Sequence, residues 1–177
     1  MIARGLVAAA ALAILPAPAS AQEIEWRLDH RNQPSILAAV LYEQLIVTAS
    51  DEAEEGSTPG AVVDLAAGIP LNDEGGELFL GVRVGKGGGE TRLVAPHLFY
   101  RVYGGQEEWK TFFDAGVLLR VEPLLAATAR IGIGVHYDFH ENWGAYLAAG
   151  PSIGVGDALL VGLDAGLGLQ FRFGTAG

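Results

Sequence analysis

Hydrophobic and polar residues alternate along most of the chain from Gly60 onward. In the last run the odd-numbered positions from Leu159 to Phe173 are all apolar, whereas the even-numbered positions from Gly162 hold Gly, Asp, Gln or Arg. The run from Leu125 to Phe139 repeats this pattern. Because the side chains of a strand point alternately to its two faces, each run predicts a strand with one apolar face and one polar or glycine face.

Short clusters of Gly, Asn and Asp separate these runs, and such residues supply the backbone conformations that tight hairpins need. Runs of this length joined by such turns predict an antiparallel meander. Seven strands are expected after Gly60, at about 61–71, 77–86, 92–103, 109–121, 124–139, 142–155 and 158–173.

An eighth strand must come from the N-terminal part if the strands form a bacterial barrel, because such barrels have an even number of strands. Residues 24–28 alternate cleanly but are few, whereas residues 36–48 are long enough and are favoured here. Ser35 could instead cap a short helix. If Leu37, Leu41 and Leu45 face lipid, then Glu43 faces lipid with them. Residues 50–60 are expected to form the longest loop, which is acidic.

The composition of the two faces distinguishes a membrane barrel from a soluble sheet. The face opposite the apolar one is mostly Gly with isolated charges, which suits a narrow lumen better than an open surface. The apolar face runs for up to eight alternate positions, enough to cross the apolar band of an outer membrane. Since lipid does not tolerate an open sheet edge, the strands must close. The sequence predicts an all-β, up-and-down transmembrane barrel of eight antiparallel strands. A soluble periplasmic barrel of lipocalin type is the alternative.

Aromatic residues are predicted to gather at one rim. If the C-terminus lies in the periplasm, the turns at 104–108 and 140–142 lie on the same side as the chain end. An aromatic girdle at the membrane interface is then expected from Trp109, Tyr137, Phe139, Trp143, Phe171 and Phe173.

The end of the last run, Gly168 followed by Phe171 and Phe173, resembles the C-terminal assembly signal of bacterial outer-membrane proteins. It departs from the usual pattern in having Gly166 in place of a polar residue and four further residues, 174–177. With the strand pattern of residues 36–173, it resembles the small eight-stranded outer-membrane barrels, a superfamily that includes outer-membrane protein A-like and X-like domains. The resemblance implies assembly by the barrel-assembly machinery and contact with outer-membrane lipid. Fold alone does not imply an activity.

The N-terminus has the features of a secretory signal peptide. Arg4 precedes an apolar stretch, Leu6 to Leu15, that is too short to span a bilayer as a helix. Ala19-Ser20-Ala21 fits the small-residue cleavage rule, so residues 1–21 are expected to be removed and Gln22 to become the first residue. Residues 22–35 would then lead into the barrel, and residues 174–177 would form a tail. The expected location is the outer membrane of a Gram-negative cell.

Composition narrows the possible partners. Cysteine is absent, so the fold has no disulfide and no thiolate metal site. Without Arg4, the 10 Lys and Arg oppose 21 Asp and Glu, a formal charge of 10 − 21 = −11. Nucleic acid is therefore not an expected partner, because phosphate binding needs basic patches. The protein is expected to be a monomer.

Charged residues of both signs fall on the predicted lumen face. An eight-stranded barrel is only wide enough for side chains to fill it, and buried charges need partners. The sequence therefore predicts a structural or interaction role with a lumen plugged by a charged network, the alternative being a narrow channel for small solutes. The network is predicted to contain Asp64, Glu77, Arg83, His97, Arg101, Asp114, Arg120, Arg130, His136, Asp138, Asp164 and Arg172.

Two chemical alternatives were weighed against this structural interpretation. His136, Asp138 and His140 have a spacing that could hold a divalent ion, but no fourth ligand is evident. Ser152 and His136 could serve a lipid A-modifying hydrolase only if they came within hydrogen-bond reach, and they are expected near opposite ends of their strands. The glycine-rich stretch at 85–89 has no helix after it and predicts a hairpin, not a phosphate loop. We expect no catalytic residues, cofactor or metal.

Overall fold

A computed structural model of the chain describes residues 33–48, 56–71, 76–87, 92–105, 108–122 and 125–174. The predicted signal peptide and most of the lead-in lie outside the described residues. None of the described residues forms a helix long and apolar enough to cross a membrane.

Eight antiparallel strands form one closed sheet in which each strand pairs with its neighbours in sequence and β8 pairs with β1. The predicted up-and-down barrel of eight strands is confirmed. The strands are β1 Ser35–Val47, β2 Gly56–Pro70, β3 Gly76–Gly87, β4 Arg92–Gly104, β5 Trp109–Arg120, β6 Ala126–His140, β7 Trp143–Gly156 and β8 Leu159–Arg172.

The stagger between strands determines how wide the barrel is. A path through directly paired residues starts at Ile36 and returns to β1 at Ile46, ten residues further along, after Ala67, Leu80, Leu98, Val117, Ala129, Ile153 and Val161. Eight strands with a stagger of ten residues tilt by about 40° and enclose a backbone cylinder of about 8 Å radius. Side chains can fill an interior of that width.

The barrel has two ends. The lower rim carries the start of β1, the end of β8 and the connections β2–β3, β4–β5 and β6–β7. The upper rim carries the remaining connections. At the lower rim Gly105 has a φ of 105°, a left-handed conformation that suits glycine in the β4–β5 turn.

The first strand corrects two expectations. Leu37, Leu41 and Leu45 point into the lumen together with Glu43, and the alternate residues from Ile36 to Ile46 face outward. The arrangement in which these leucines and Glu43 face lipid is therefore not the one that forms, and the carboxylate of Glu43 is bound inside the barrel by Arg120. The loop predicted at 50–60 is also too long. Strand β2 begins at Gly56, because the long β1 offers pairing partners as far as Val47.

Candidate functional site: the charged lumen

The lumen holds an equal number of buried acidic and basic side chains among the described residues. The residues predicted for the network all lie there, buried, and the structure adds Glu43 and Lys110 to them. The acidic members are Glu43, Asp64, Glu77, Asp114, Asp138 and Asp164, and the basic ones are Arg83, Arg101, Lys110, Arg120, Arg130 and Arg172, with His97 and His136 beside them. The six carboxylates and six cations are arranged in three groups along the barrel axis.

The central network is a continuous chain of ion pairs at mid-height. Arg130 donates to both oxygens of Asp164, with its Nε 2.8 Å from Oδ2 and its Nη2 2.7 Å from Oδ1. From there the contacts extend in two directions, through Arg83 to Asp64 and His97, and through Asp114 to Arg101. The network comprises His97, Asp64, Arg83, Asp164, Arg130, Asp114 and Arg101. Its three aspartates and three arginines balance.

The lower network lies between the central network and the lower rim. Asp138 accepts from Lys110, from Arg172 Nη1 at 2.8 Å and from His136 Nε2, also at 2.8 Å. Its second part centres on Glu77, which accepts at Oε2 from the Tyr103 hydroxyl at 2.9 Å and from the Gln170 amide at 3.0 Å. The network comprises Lys110, His136, Asp138, Arg172, Glu77, Tyr103, Gln170 and Ser35, which accepts from Gln170.

The upper pair joins Glu43 of β1 to Arg120 of β5 across the lumen. Both Nη groups of Arg120 donate to the Glu43 carboxylate, a two-pronged geometry that is strong in a dry setting. Apolar side chains lie toward the upper rim beyond this pair, namely Leu45, Ala126, Ala158 and Leu160, with Val47 packed on them. The pair is therefore enclosed between an apolar cluster and the rest of the core.

Aromatic rings lie where the lower network meets the central one. Phe79, Tyr103, Phe112 and Tyr146, here called the aromatic collar, come from β3, β4, β5 and β7. Tyr103 and Phe112 have ring centroids 6.0 Å apart, and so do Phe112 and Tyr146, in edge-on geometries that aromatic pairs prefer. The Arg101 guanidinium lies among these rings.

Little free space remains around the central network. A cavity of about 20 Å³ lies between the collar and the central network, lined by Arg101, Asp114 and Arg130 among others. That volume is close to the minimum that holds one water molecule.

Sequence reasoning missed several lumen residues. Glu43 and Lys110 are not in the predicted network, although both are buried in the lumen. Tyr103, Gln170 and Ser35 also bond in the lower network. The alternation could have found Lys110 and Gln170, because each shares a face with a charged residue of its own strand, Asp114 four residues from Lys110 and Arg172 two residues from Gln170. Phe79 and Phe112 also face the lumen, although the sequence pattern predicted mostly glycine and charged residues on that face.

The two chemical alternatives find no matching geometry. His136 and Asp138 are buried in the lower network, but a register shift follows Asp138 and His140 lies exposed beyond it. No group of three metal-ligating side chains occurs in the part of the chain that the structure describes. Ser152 pairs with Arg130, six residues along β6 from His136. At about 3.3 Å per residue that separation is near 20 Å, so this serine and histidine form no nucleophile–base pair.

The outward aromatics meet in two groups at the lower rim. Trp109 stacks on Tyr137 with ring centroids 4.5 Å apart. The second group comprises Trp143, Phe171 and Phe173, with successive centroid distances of 4.8 and 5.0 Å. Phe139 is exposed on the same side.

The end of β8 is tied to its neighbours at the lower rim. The backbone N–H of Phe173 donates to the carbonyl of Pro34, and the Asn142 amide donates to the carbonyls of Arg172 and Gly174. Gly168, the first residue of the predicted assembly signal, faces the lumen against the Tyr146 ring, whereas Phe171 and Phe173 lie outside.

The closed sheet, the paired charges inside and the apolar residues outside define the class as a small outer-membrane-type β-barrel. Among solved structures, the chain is similar to the crystal structure of Neisserial surface protein A, with a TM-score of 0.65 and 14% identity over 79% of this chain and 97% of that one. A designed transmembrane β-barrel is a weaker match, with a TM-score of 0.37 and 14% identity over 76% and 95% of the two chains. No protein-family model and no curated protein matches the chain.

Proposed function

We propose that this protein is a monomeric β-barrel of the Gram-negative outer membrane with a structural or interaction role, and that its charged lumen does not conduct. The observation that carries the proposal is the balanced filling of the lumen. Six buried carboxylates face six buried cations in a barrel of about 8 Å radius. A water-filled pore would need free space along the axis, and these side chains occupy it.

The outer surface supports a membrane location. On β6 every second residue from Leu125 to Phe139 points outward, and none of these residues is charged. The 14 residue steps of that stretch, tilted by about 40°, span about 34 Å, more than the apolar band of about 25 Å that such barrels need. A soluble lipocalin-type barrel would place its charges outside and its apolar residues inside, the reverse of this distribution.

The aromatic groups support an orientation. Interfacial aromatics mark the membrane boundary in outer-membrane barrels, and the two groups described above lie at the lower rim. We assign that rim, with the start of β1 and the end of β8, to the periplasm and the upper rim to the outside. Assembly would then use the barrel-assembly machinery, after export through a signal peptide cleaved behind Ala21. An N-terminal sequence starting at Met1 in the exported protein would contradict the cleavage.

Electrical recording in planar bilayers tests the closed lumen. The folded full chain should give no stepwise current above the membrane leak, because on this proposal the three charged groups fill the lumen. The same preparation must show heat-modifiable migration on SDS gels, which verifies that a folded barrel was added. Discrete openings in that preparation would overturn the closed lumen and favour a narrow solute channel.

A further inference from the structure

The guanidinium of Arg101 is surrounded by aromatic rings. Its Cζ lies 3.8 Å from the ring centroid of Phe112, 5.0 Å from that of Tyr146, 5.1 Å from that of Phe79 and 6.0 Å from that of Tyr103. A cation within about 6 Å of a ring centroid is attracted by the ring's quadrupole, most strongly where water is excluded. Arg101 is 5% exposed, so the collar surrounds it in a dry setting.

Arg101 and Arg130 both bind Asp114, but Arg101 makes fewer hydrogen bonds than Arg130. Arg130 donates from Nε, Nη1 and Nη2 to carboxylates. Arg101 donates from Nη2 to Asp114 at 3.0 Å, whereas its Nε and Nη1 meet no acceptor in good hydrogen-bond geometry among the described residues, and the Tyr103 oxygen is its other polar neighbour. The rings therefore replace the hydrogen bonds that a buried guanidinium would otherwise need.

Glycines hold three of the collar rings in place independently of Arg101. Phe79, Phe112 and Tyr146 each lie directly opposite a glycine of a neighbouring strand, in the register pairs Phe79–Gly68, Phe112–Gly134 and Tyr146–Gly168. A Cβ on Gly134 would lie 2.6 Å from Cε1 of Phe112, and one on Gly168 would lie 2.5 Å from Cζ of Tyr146. Each ring thus covers bare backbone. The fourth ring is fixed by the bond from Tyr103 to Glu77.

We propose that the aromatic collar, with the Asp114 carboxylate, is a preformed binding site for a guanidinium-class cation, which the chain fills with its own Arg101. The proposal rests on the packed lumen that underlies the proposed function. It specifies which kind of cation the lumen binds at the height of the aromatic collar. If the site is preformed, shortening Arg101 leaves four rings and one carboxylate arranged to take a small planar cation from solution.

The test compares Arg101→Ala with Arg120→Ala, because both remove a buried arginine that is bound to a carboxylate. Each full-length variant is refolded in detergent micelles with methylguanidinium chloride or with potassium chloride at equal concentration. For Arg101→Ala we expect Tm to rise saturably by about 4 °C or more with methylguanidinium only. Arg120 has none of the described rings over it, so Arg120→Ala and the wild type should not respond.

A third variant separates the rings from the carboxylate. Arg101→Ala combined with Phe112→Leu keeps Asp114 but removes the nearest ring, and it should lose the response to methylguanidinium. Equal responses in Arg101→Ala and Arg120→Ala would overturn the proposal, as would no response in Arg101→Ala.

A measurement on the wild type decides the matter if Arg101→Ala does not fold. In a ¹H–¹⁵N spectrum of the folded barrel, the Nε proton of Arg101 should lie upfield of the Nε proton of Arg120, because ring currents shield protons above ring faces. Coincident shifts would contradict the collar site. A conducting wild-type barrel would defeat the proposed function, but it would leave this shift difference in place.

Discussion

At the scale of single residues, each lumen charge is stabilised by its specific partner more than by the overall balance of acidic and basic residues. The central network, the lower network and the upper pair are each balanced by their own carboxylates and their own Lys or Arg. A buried ion pair is not itself strongly stabilising, but removing one member leaves an uncompensated charge. Each group should therefore respond to the loss of one partner and tolerate the loss of both.

The upper pair provides the clearest case. Glu43→Leu leaves Arg120, which is 1% exposed, without its carboxylate. We expect the free energy of unfolding, measured by urea titration in detergent micelles, to fall by about 3–5 kcal/mol. The double variant Glu43→Leu with Arg120→Met should recover most of the loss.

Gln44 offers the matched control, because it is the next residue of β1 and points outward. Gln44→Leu removes exposed hydrogen bonds to Tyr42 and Ser57, so it should change the free energy of unfolding by about 1 kcal/mol or less. Equal losses at positions 43 and 44 would mean that Glu43 is not paired inside the barrel.

At the scale of strands, the lumen glycines are explained by what lies opposite them. The glycine face of the sheet accepts rings from neighbouring strands, as Gly134 of β6 accepts Phe112 of β5. Cross-strand pairs of glycine and an aromatic residue are a known way of covering exposed backbone in a sheet. Gly68, Gly134 and Gly168 are therefore part of the packing of the lumen rings.

Gly134→Ala tests this explanation, since the added Cβ would collide with the Phe112 ring as well as with the backbone carbonyl oxygen of Leu147. We expect a loss of about 1–3 kcal/mol in the free energy of unfolding. Gly104→Ala is the control, because a Cβ there would meet the Thr111 hydroxyl at 3.1 Å, and its position at the end of β4 is exposed. The double variant Gly134→Ala with Phe112→Leu should show less than the sum of its two losses. Additive losses would contradict the pairing.

At the scale of the whole molecule, the barrel has apolar residues outside and charges inside. Exposed Leu, Ile, Val and aromatic side chains surround the barrel on all eight strands, and an apolar surface of that extent is typical of contact with a membrane or with another protein. The lower rim, with the two aromatic groups, is proposed to face the periplasm.

The depth of the membrane can be probed along β6. Ile131 lies within the strand and Leu125 lies just before it at the upper rim, and both are outward and about half exposed. Ile131→Arg in lipid bilayers should reduce the free energy of unfolding by about 2–4 kcal/mol, whereas Leu125→Arg should reduce it by about 1 kcal/mol or less. Equal effects at the two positions would place β6 outside the hydrocarbon.

Closure of the whole barrel predicts heat-modifiable behaviour. Unboiled protein extracted from outer membranes should migrate on SDS gels at an apparent mass different from that of boiled protein, since the closed sheet between β1 and β8 resists SDS until heated. Fractionation of the same cells should place the protein in the outer membrane. Recovery in the soluble periplasmic fraction, with no shift on heating, would contradict the membrane location.

The sequence by itself determined the strand pattern and most of the lumen charges. Alternation and turn residues are local features, so β5 to β8 could be located to within a few residues, and the acidic and basic residues of those strands could be assigned to the glycine face. The eighth strand followed from the even count, although its two faces did not follow from its own residues. Leucines occupy one face of β1, and Ile36, Val40 and Ile46 occupy the other. Because both faces carry apolar residues, periodicity alone cannot tell which face points into the lumen.

Only the tertiary structure decided which residues meet. Glu43 reaches Arg120 across 77 positions of sequence, and the four collar rings come from four strands. These contacts depend on the ten-residue stagger of the closed sheet, which sets the heights at which side chains from distant strands face each other. A stagger is a property of all eight pairings together. No single run of residues contains it, and for that reason the partner of Glu43 and the surroundings of Arg101 could not be read from the alternation.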